Sequence, residues 1–378
     1  MKIRIIGAGP AGLYFASLMK AADPTHDIVI VERNRRDATW GFGVVFSDRA
    51  LEFLRAEDEA MYQYLIAHME TWPDLAIVHR GERIGIAGNG FASIGRLELL
   101  TLLYRRVEQQ GIEIRFETEA PSVESLGPAD LVVASDGAFS FVRRDHAARL
   151  GTTTDWRSNP FIWYGTTKVF DSLTLSFRQT GDGTFCAHHY RYSPTMSTFL
   201  VEVDADTWQR AGFDTLSAEQ TMAHCEAVFA EELDGHRLIS NHSTWRRFPA
   251  IWNDHWSFDN VVLLGDALRT VHFSIGSGTR MAMEDAVALA HALRETPRVA
   301  EALVHFQQNR LPIMKKIWDA ADVSLRWYEG MGELMHLNPT ELAYAYMRRT
   351  GRVSHEAIRR MDPRLAAAFE HMHPQTPV

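Results

Sequence analysis

The sequence has little of three features that define common classes of protein: cysteine, long apolar runs and basic charge. Its 378 residues include two cysteines, Cys186 and Cys225, and neither belongs to a Cys-x-x-Cys pair. Because folds held by disulfides need more cysteines, we expect reduced thiols and a cytoplasmic protein. No apolar run approaches the roughly 20 residues that cross a bilayer, so we expect no integral membrane segment. A formal net charge of −9 argues against binding to nucleic acid.

Internal repeats, low-complexity tracts and flexible linkers are also missing from the chain. The length suggests about two domains, and a hydrophobic fraction of 46% supplies a large core. No metal site is predicted, and we expect a monomer or a homodimer.

The N-terminal residues form the first informative motif. A short apolar run, Lys2–Ile6, leads into Gly7-Ala8-Gly9-Pro10-Ala11-Gly12, and a helical pattern follows. Such glycines permit a tight turn and a close approach of the backbone to a pyrophosphate at the helix N-terminus. Glu32 ends the next strand, where an acid accepts hydrogen bonds from a ribose diol. The sequence therefore predicts a dinucleotide site, with a purely structural glycine turn as the alternative.

Two later strands also end in an aspartate beside a glycine. Leu131–Ser135 is followed by Asp136-Gly137, and Val261–Leu264 is followed by Gly265-Asp266 and then by Gly276-Ser277-Gly278. Ordinary turns carry such pairs as well, so each pair alone leaves the purpose of its aspartate open.

The residue pattern between about residues 161 and 203 differs from that of the preceding chain. Aromatic and β-branched runs are broken there by turns such as Gly181-Asp182-Gly183, a pattern typical of an antiparallel sheet. We predict an α/β fold in which a Rossmann-type nucleotide-binding domain is built from separated segments, residues 1–74, 96–155 and 256–330. An inserted, mostly antiparallel β-sheet substrate domain covers residues 75–95 and 156–255, and a helical C-terminal segment covers residues 331–378.

The order of the three glycine motifs is similar to that in the group A FAD-dependent aromatic hydroxylases, which have the para-hydroxybenzoate hydroxylase fold. In that family the Asp-Gly and Gly-Asp pairs are FAD fingerprints, and the second aspartate binds the ribityl chain. Arg96 resembles the family's arginine at the start of a helix, which contacts the flavin nucleotide; an unliganded surface arginine is the alternative. The resemblance assigns these residues to the FAD site: Gly7, Gly9, Pro10, Ala11, Gly12, Glu32, Arg33, Gly43, Val44, Arg96, Asp136, Gly137, Asp266, Gly276, Ser277 and Gly278.

The resemblance also implies a reaction. NADH or NADPH, as a transient co-substrate, reduces FAD, and oxygen forms a flavin C4a-hydroperoxide that hydroxylates an aromatic ring. A flavin halogenase is less favoured because no WxWxIP segment is found. A non-catalytic flavin-binding protein is the alternative from a different functional class.

Five segments resemble one subgroup of this hydroxylase family in particular. The subgroup contains the salicylyl-CoA 5-hydroxylases, the monooxygenase half of 2-aminobenzoyl-CoA monooxygenase/reductases and the tryptophan-dimer hydroxylases of violacein biosynthesis. The implied substrate is an aryl-CoA thioester such as salicylyl-CoA, hydroxylated to gentisyl-CoA. The alternatives are an indolic pigment precursor and a free phenolic acid. The segments are Trp40–Asp48, Ile162–Thr166, His188–Phe199, His272–Gly278 and Tyr344–His355.

Candidates for catalysis and substrate binding follow from the same comparison. His272 and Phe273 stand where many relatives have two prolines, and His272 is a candidate proton donor or a packed core histidine. On an alternating strand only one of His188 and His189 can face the substrate. For the wall residues, ordinary sheet packing is the alternative, and for the arginines it is a solvated helix face. The candidate walls of the substrate pocket are His188, His189, Tyr190, Tyr192 and Met196, and the candidate ligands for CoA phosphates are Arg348, Arg349 and Arg352.

Overall fold

A computed structural model describes residues 1–374, apart from the side chains at positions 48 and 49. The strands are β1 (Lys2–Ile6), β2 (Asp27–Val31), β3 (Gly43–Ser47), β4 (Glu70–Trp72), β5 (Leu75–His79), β6 (Glu82–Ile86), β7 (Phe91–Gly95), β8 (Glu113–Arg115), β9 (Leu131–Ala134), β10 (Thr152–Thr166), β11 (Leu173–Gln179), β12 (Thr184–Ser193), β13 (Met196–Val203), β14 (Leu238–Ile239), β15 (Arg246–Asn253), β16 (Ser257–Phe258) and β17 (Val261–Leu263).

The helices differ widely in length, from a single turn to 31 residues. They are α1 (Pro10–Ala22), α2 (Glu52–Glu57), α3 (Glu59–Ile66), α4 (Arg96–Gln109), α5 (Phe141–Asp145), α6 (Ala147–Leu150), α7 (Ala205–Arg210), α8 (Ala218–Val228), α9 (Ala230–Leu233), α10 (Gly278–Glu295), α11 (Val299–Glu329), α12 (Pro339–Arg348), α13 (His355–Met361) and α14 (Pro363–Met372).

A six-stranded sheet forms the centre of the first layer. Its strand order is β16-β17-β9-β1-β2-β8, and its pairs are parallel except for β16 with β17. The strands are short β-branched runs because both faces are covered, and they share one core with α1, α4, α10 and α11.

The three glycine motifs meet at the carboxyl edge of this sheet. They follow β1, β9 and β17, which are neighbours, and β2 lies on the other side of β1. The backbone of Gly7 donates to Val31, and that of Ser135 donates to Ile6, both at 2.8 Å. The strand that follows β1 in the chain, β2, lies on one side of it, and the later strand β9 lies on the other. At such a reversal of strand order a crevice opens at the carboxyl edge of the sheet, as in other doubly wound folds.

A second, larger sheet has the order β14-β10-β13-β12-β11-β5-β6, and β15 also pairs with β10. Its pairs are antiparallel except for β11 with β5. Side chains alternate between its faces. Phe185, Ala187 and Phe199 pack beneath α8 and α9, whereas Cys186 and Tyr190 share a core with the C-terminal helices.

The remaining elements complete the fold. A small sheet, β3-β7-β4, lies beside the second sheet, so the stretch 75–95 supplies strands to two sheets. Helix α12 packs on β5 and β6. The predicted α/β class, with an inserted, mainly antiparallel sheet and a helical C-terminus, is confirmed, whereas the exact domain boundaries stay a prediction. Within residues 1–374, no helix combines the length and the apolar character needed to cross a membrane.

Candidate active site

One cavity of about 390 Å³ lies between the carboxyl edge of the parallel sheet and the inner face of the second sheet. Gly9, Arg96 and Asp266 line one end of it, and His188 and Leu200 line the other. The cavity therefore joins the dinucleotide motifs to the predicted substrate sheet in a single space.

The glycines of the first turn differ in their surroundings: Gly7 and Gly12 are closely packed, and Gly9 faces open space. Gly7 has a φ of +94°, and a Cβ atom there would overlap the backbone of Ser135. A Cβ atom at Gly12 would overlap the Ser135 hydroxyl group, whereas one at Gly9 would meet no atom within 4 Å. The first turn of α1 has no side-chain cap, so its N–H groups face the open space beside Gly9. This arrangement fits a pyrophosphate group.

Glu32 is held by the turns around it. Its carboxylate accepts hydrogen bonds from the backbone of Ala8 at 2.9 Å and from the backbone of Asn34 at 2.9 Å. Arg33, the next residue, is exposed, and neither it nor Glu32 lines the cavity.

Asp266 opens onto the cavity and lies among arginines. Desolvation by the surrounding protein raises the pKa of its carboxyl group, and the charges of Arg96, Arg269 and Arg143 oppose that rise. Desolvation lowers the pKa of the Arg96 guanidinium, and Asp266 opposes this. A carboxylate among cations at the end of a strand is suited to accept hydrogen bonds from ligand hydroxyl groups.

The Asp136-Gly137 pair has a different arrangement. The Asp136 carboxylate accepts a hydrogen bond from the backbone of Phe141 at 2.9 Å, and burial raises its pKa. Only Gly137 of the pair lines the cavity. Asp136 thus helps to fix the loop in which Gly137 faces the open space.

Two further backbone segments border the cavity. Gly276 has a φ of +58° and, with Ser277 and Gly278, brings the chain into the N-terminus of α10. On the other side, Gly43 and Val44 line the cavity. The Gly43 backbone donates to Thr198 Oγ1 and accepts from the Tyr190 hydroxyl, both at 2.9 Å.

The alternation of the second sheet decides between the two adjacent histidines. His188 lies opposite Leu175 and Leu200 on neighbouring strands, and all three line the cavity. His189 faces the other way: its Nε2 is 2.9 Å from Ser176 Oγ and its ring stacks on Phe199.

The other three candidate wall residues of the substrate pocket lie in three different places. Tyr190 lines the cavity, with its hydroxyl bound to Gly43. Tyr192 borders a neighbouring surface pocket, and Met196 lies outside the lining of both pockets.

Of the two neighbouring candidates His272 and Phe273, one lines the cavity and the other does not. Phe273 lines the cavity, whereas the His272 ring lies outside its lining, packed against Phe248 and Phe273. The His272 Nδ1 accepts from the backbone of Ser274 at 3.4 Å. Burial lowers the pKa of His272 to about 4, so the ring is neutral near pH 7. This placement favours a packing role for His272 over direct proton donation.

Long-range folding adds wall residues that were not among the sequence candidates, and it brings one candidate, Arg349, to the cavity. Phe161, Trp163 and Phe248 supply aromatic walls, and Tyr346 and Arg349 reach the cavity from the C-terminal segment. The Arg349 guanidinium lies 3.8 Å from the Tyr346 ring and donates to the Ser274 carbonyl at 3.1 Å. It is therefore directed inward, while Arg348 and Arg352 are exposed.

Comparisons with known proteins agree with this geometry. Residues 127–321 match a family model described as an FAD binding domain. Salicyloyl-CoA 5-hydroxylase from a Streptomyces species is 42% identical, over 93% of this chain and 70% of its own length. A 3-hydroxy-4-methyl-anthranilyl-[aryl-carrier protein] 5-monooxygenase from Streptosporangium sibiricum is 38% identical, over 87% of this chain and 89% of its own length. Protodeoxyviolaceinate monooxygenase from Chromobacterium violaceum is 38% identical, over 92% of this chain and 94% of its own length.

Proposed function

Because this chain belongs to the FAD-dependent aromatic hydroxylases, we propose that it hydroxylates a benzoyl ring carried on a thioester. It is a flavoprotein monooxygenase that uses FAD with NADH or NADPH. The leading substrate is salicylyl-CoA, hydroxylated at ring carbon 5 to give gentisyl-CoA. The observation that carries the proposal is the single cavity that joins the dinucleotide turn to the inner face of the second sheet.

The names of two relatives share a chemical pattern that supports this substrate class. Each names a benzoyl derivative attached to a carrier and hydroxylated at position 5. Salicyloyl and anthranilyl groups carry a hydroxyl or an amino group at position 2, which is para to position 5. These groups donate electrons to the para carbon, which favours oxygen transfer at that position.

The walls of the cavity suit such a ring. Phe161, Trp163 and Phe248 are aromatic, and Leu175 and Leu200 are aliphatic. A flat aromatic group buries apolar surface against them, and water is excluded from the reacting atoms. These side chains bind and orient the ring.

Three groups of predicted cofactor residues would hold separate parts of FAD. The N-terminus of α1 would hold the pyrophosphate, Asp266 the ribityl hydroxyls, and Gly276–Gly278 the flavin ring. The N-terminal dipole of α10 favours the negative charge of the reduced ring. When bound, FAD takes electrons from the nicotinamide and supplies the activated oxygen that is added to the substrate.

The substrate carrier and the location of the protein belong to the same proposal. The exposed side chains of Arg348 and Arg352 are candidates for CoA phosphates, whereas Arg349 is engaged inside. Two buried cysteines without a disulfide and a CoA thioester substrate favour the cytoplasm.

Product analysis under ¹⁸O₂ tests the proposed substrate. FAD-loaded protein and NADH would be incubated with salicylyl-CoA, salicylate or an indolic precursor of violacein, and each product analysed by mass spectrometry. We expect one ¹⁸O atom at carbon 5 of the salicylyl group and no reaction with free salicylate. Hydroxylation of the indolic compound or of salicylate alone would overturn the thioester proposal.

A further inference from the structure

A buried histidine–carboxylate pair lies at the substrate end of the cavity. We propose that His188 accepts the proton of the substrate's ring hydroxyl, and that Glu202 holds the imidazole in the tautomer that can do so. The inference rests on the proposed function, because it requires a phenolic ring in the cavity.

The pair is built by the pleat of two neighbouring strands. His188 on β12 is opposite Leu200 on β13, and Glu202 lies two residues beyond Leu200 on the same face. The His188 Nε2 is 3.3 Å from Glu202 Oε2. The sheet therefore fixes both side chains without help from a flexible loop.

Glu202 is an unusual residue for its surroundings. It lies within the apolar run Phe199-Leu-Val-Glu-Val203 and is only 2% exposed. One carboxylate oxygen accepts from Asn159 Nδ2 at 2.9 Å, and Asn159 is itself anchored to the Tyr328 carbonyl. Among the described residues, the other oxygen, Oε2, is buried without a hydrogen bond, and the His188 Nε2 lies 3.3 Å from it. Burying an acid is costly, so such a carboxylate indicates a function for its partner.

The charge of Glu202 determines which imidazole nitrogen carries the proton. A carboxylate beside Nε2 favours a hydrogen on that nitrogen, as in other carboxylate–histidine pairs. The lone pair then resides on Nδ1, because the polar contacts seen for this ring among the described side chains, to Cys186 and Glu202, are made through Nε2. Because the His188 ring lines the cavity, Nδ1 is the nitrogen left for a ligand.

The other polar groups around His188 do not compete with it as acceptors of the substrate proton. The Cys186 thiol is 3.7 Å from Nε2, and burial raises its pKa well above the usual range. Burial likewise raises the pKa of Tyr328, whose ring lies 5.0 Å from that of His188. His272 stays neutral. The charged groups Arg157 and Glu329 form their own ion pair farther back.

The proton step balances without any further reactant. The O–H bond of the substrate breaks, an N–H bond forms at Nδ1, and the electron pair stays on the phenolic oxygen. Glu202 stabilises the resulting imidazolium. The phenolate is richer in electrons at its para carbon, where oxygen is added. When the ring regains aromaticity, Nδ1 returns its proton to the original phenolic oxygen, and the C–H proton at the hydroxylated carbon is released.

The test measures the ionisation of the bound ring. FAD-loaded, oxidised protein would be titrated with salicylyl-CoA at several pH values, and the phenolate followed by difference absorbance. We expect a midpoint below that of free salicylyl-CoA in the wild-type protein and a midpoint close to the free value in His188→Gln. We also expect that variant to hydroxylate about 10²–10⁴-fold more slowly. The Gln amide can still donate to Glu202, so the fold is preserved.

Two further variants separate a proton role from a structural one. Glu202→Gln keeps the volume but presents an N–H group to Nε2, which places the imidazole proton on Nδ1 and blocks acceptance. Glu202→Asp keeps the charge and should restore part of the lowered midpoint. His189→Gln alters the adjacent histidine on the opposite face and should leave the midpoint unchanged.

The possible failures can be told apart. If wild-type protein and His188→Gln bind and hydroxylate salicylyl-CoA with the same midpoint and rate, the inference is wrong and the proposed function stands. If the wild-type protein neither binds nor hydroxylates salicylyl-CoA, the proposed substrate is wrong and the inference falls with it.

Discussion

Arg143 Nη1 lies 2.9 Å from the carbonyl oxygen of Ala267, a residue 124 positions farther along the chain. The same guanidinium donates through Nη2 to the Ala138 carbonyl. One buried side chain thus ties the loop after β9 to the loop after β17, and each loop carries one aspartate of the predicted FAD site. The spacing between the two loops depends on this planar, forked cation.

Replacing Arg143 with lysine should loosen both loops. A lysine ammonium cannot reach two carbonyls in this fork geometry. We expect the free energy of unfolding to fall by about 1–3 kcal/mol and the affinity for FAD to fall with it. Urea denaturation and flavin fluorescence titration measure the two effects. Arg144→Lys is the matched control, because the Arg144 side chain is exposed and, among the described residues, hydrogen-bonds to Asp145 alone; equal losses in both variants would contradict the tether.

The two glycines of the first turn should respond differently to alanine. Gly12→Ala would force a Cβ atom into Ser135 and is expected to destabilise the protein with or without FAD. Gly9→Ala meets open space at an ordinary φ of −82°, so the protein without FAD should unfold at the wild-type temperature. Its FAD affinity should still fall, because the methyl group occupies the space assigned to the pyrophosphate.

Thermal unfolding of each glycine variant, with and without FAD, checks this difference. Gly9→Ala protein that binds FAD as tightly as the wild type would show that the pyrophosphate lies elsewhere.

His272 should make the fold sensitive to acid. Burial lowers its pKa from 6.5 to about 4 in the folded state, so the unfolded chain takes up this proton first as the pH falls. The stability contribution is complete above pH 6.5 and is lost as the pH falls toward 4, by about 2 kcal/mol at pH 5 relative to pH 8.

His272→Asn isolates this contribution. The Asn oxygen can still accept from the Ser274 backbone but does not titrate. Unfolding free energies at pH 8 and pH 5 should differ by about 2 kcal/mol less in the variant than in the wild type. An identical pH difference in the two proteins would show that His272 is already protonated when folded.

Local motifs accounted for the parts of the site that depend on short segments. Gly9, Asp266 and Gly276 follow strands or begin helices, and their roles depend on geometry within a few residues. The alternation of a strand showed that only one of His188 and His189 faces the cavity, but the choice between them depends on which face of the sheet α8 and α9 cover.

The residues that were missed depend on contacts between distant segments. Tyr346 was not predicted, and Arg349 was predicted only as a ligand for CoA phosphates; both reach the cavity because α12 packs on β5 and β6. Glu202 had a detectable signal, an acid at an inward position of an apolar strand, but the identity of its partner required the register of β12 with β13. For His272 the sequence left a proton donor and a packed core residue open, and the turn at Phe273–Ile275 directs Phe273 into the cavity while the His272 ring lies outside its lining.

Anaerobic stopped-flow with the FAD-loaded protein tests the central claim most directly. Flavin reduction by NADH would be followed with and without salicylyl-CoA, then oxygenated buffer admitted and the thioester analysed. We predict that salicylyl-CoA accelerates flavin reduction and is converted to gentisyl-CoA once oxygen is present. If the thioester neither changes the reduction rate nor gains a hydroxyl group, the chain is not an aryl-CoA hydroxylase.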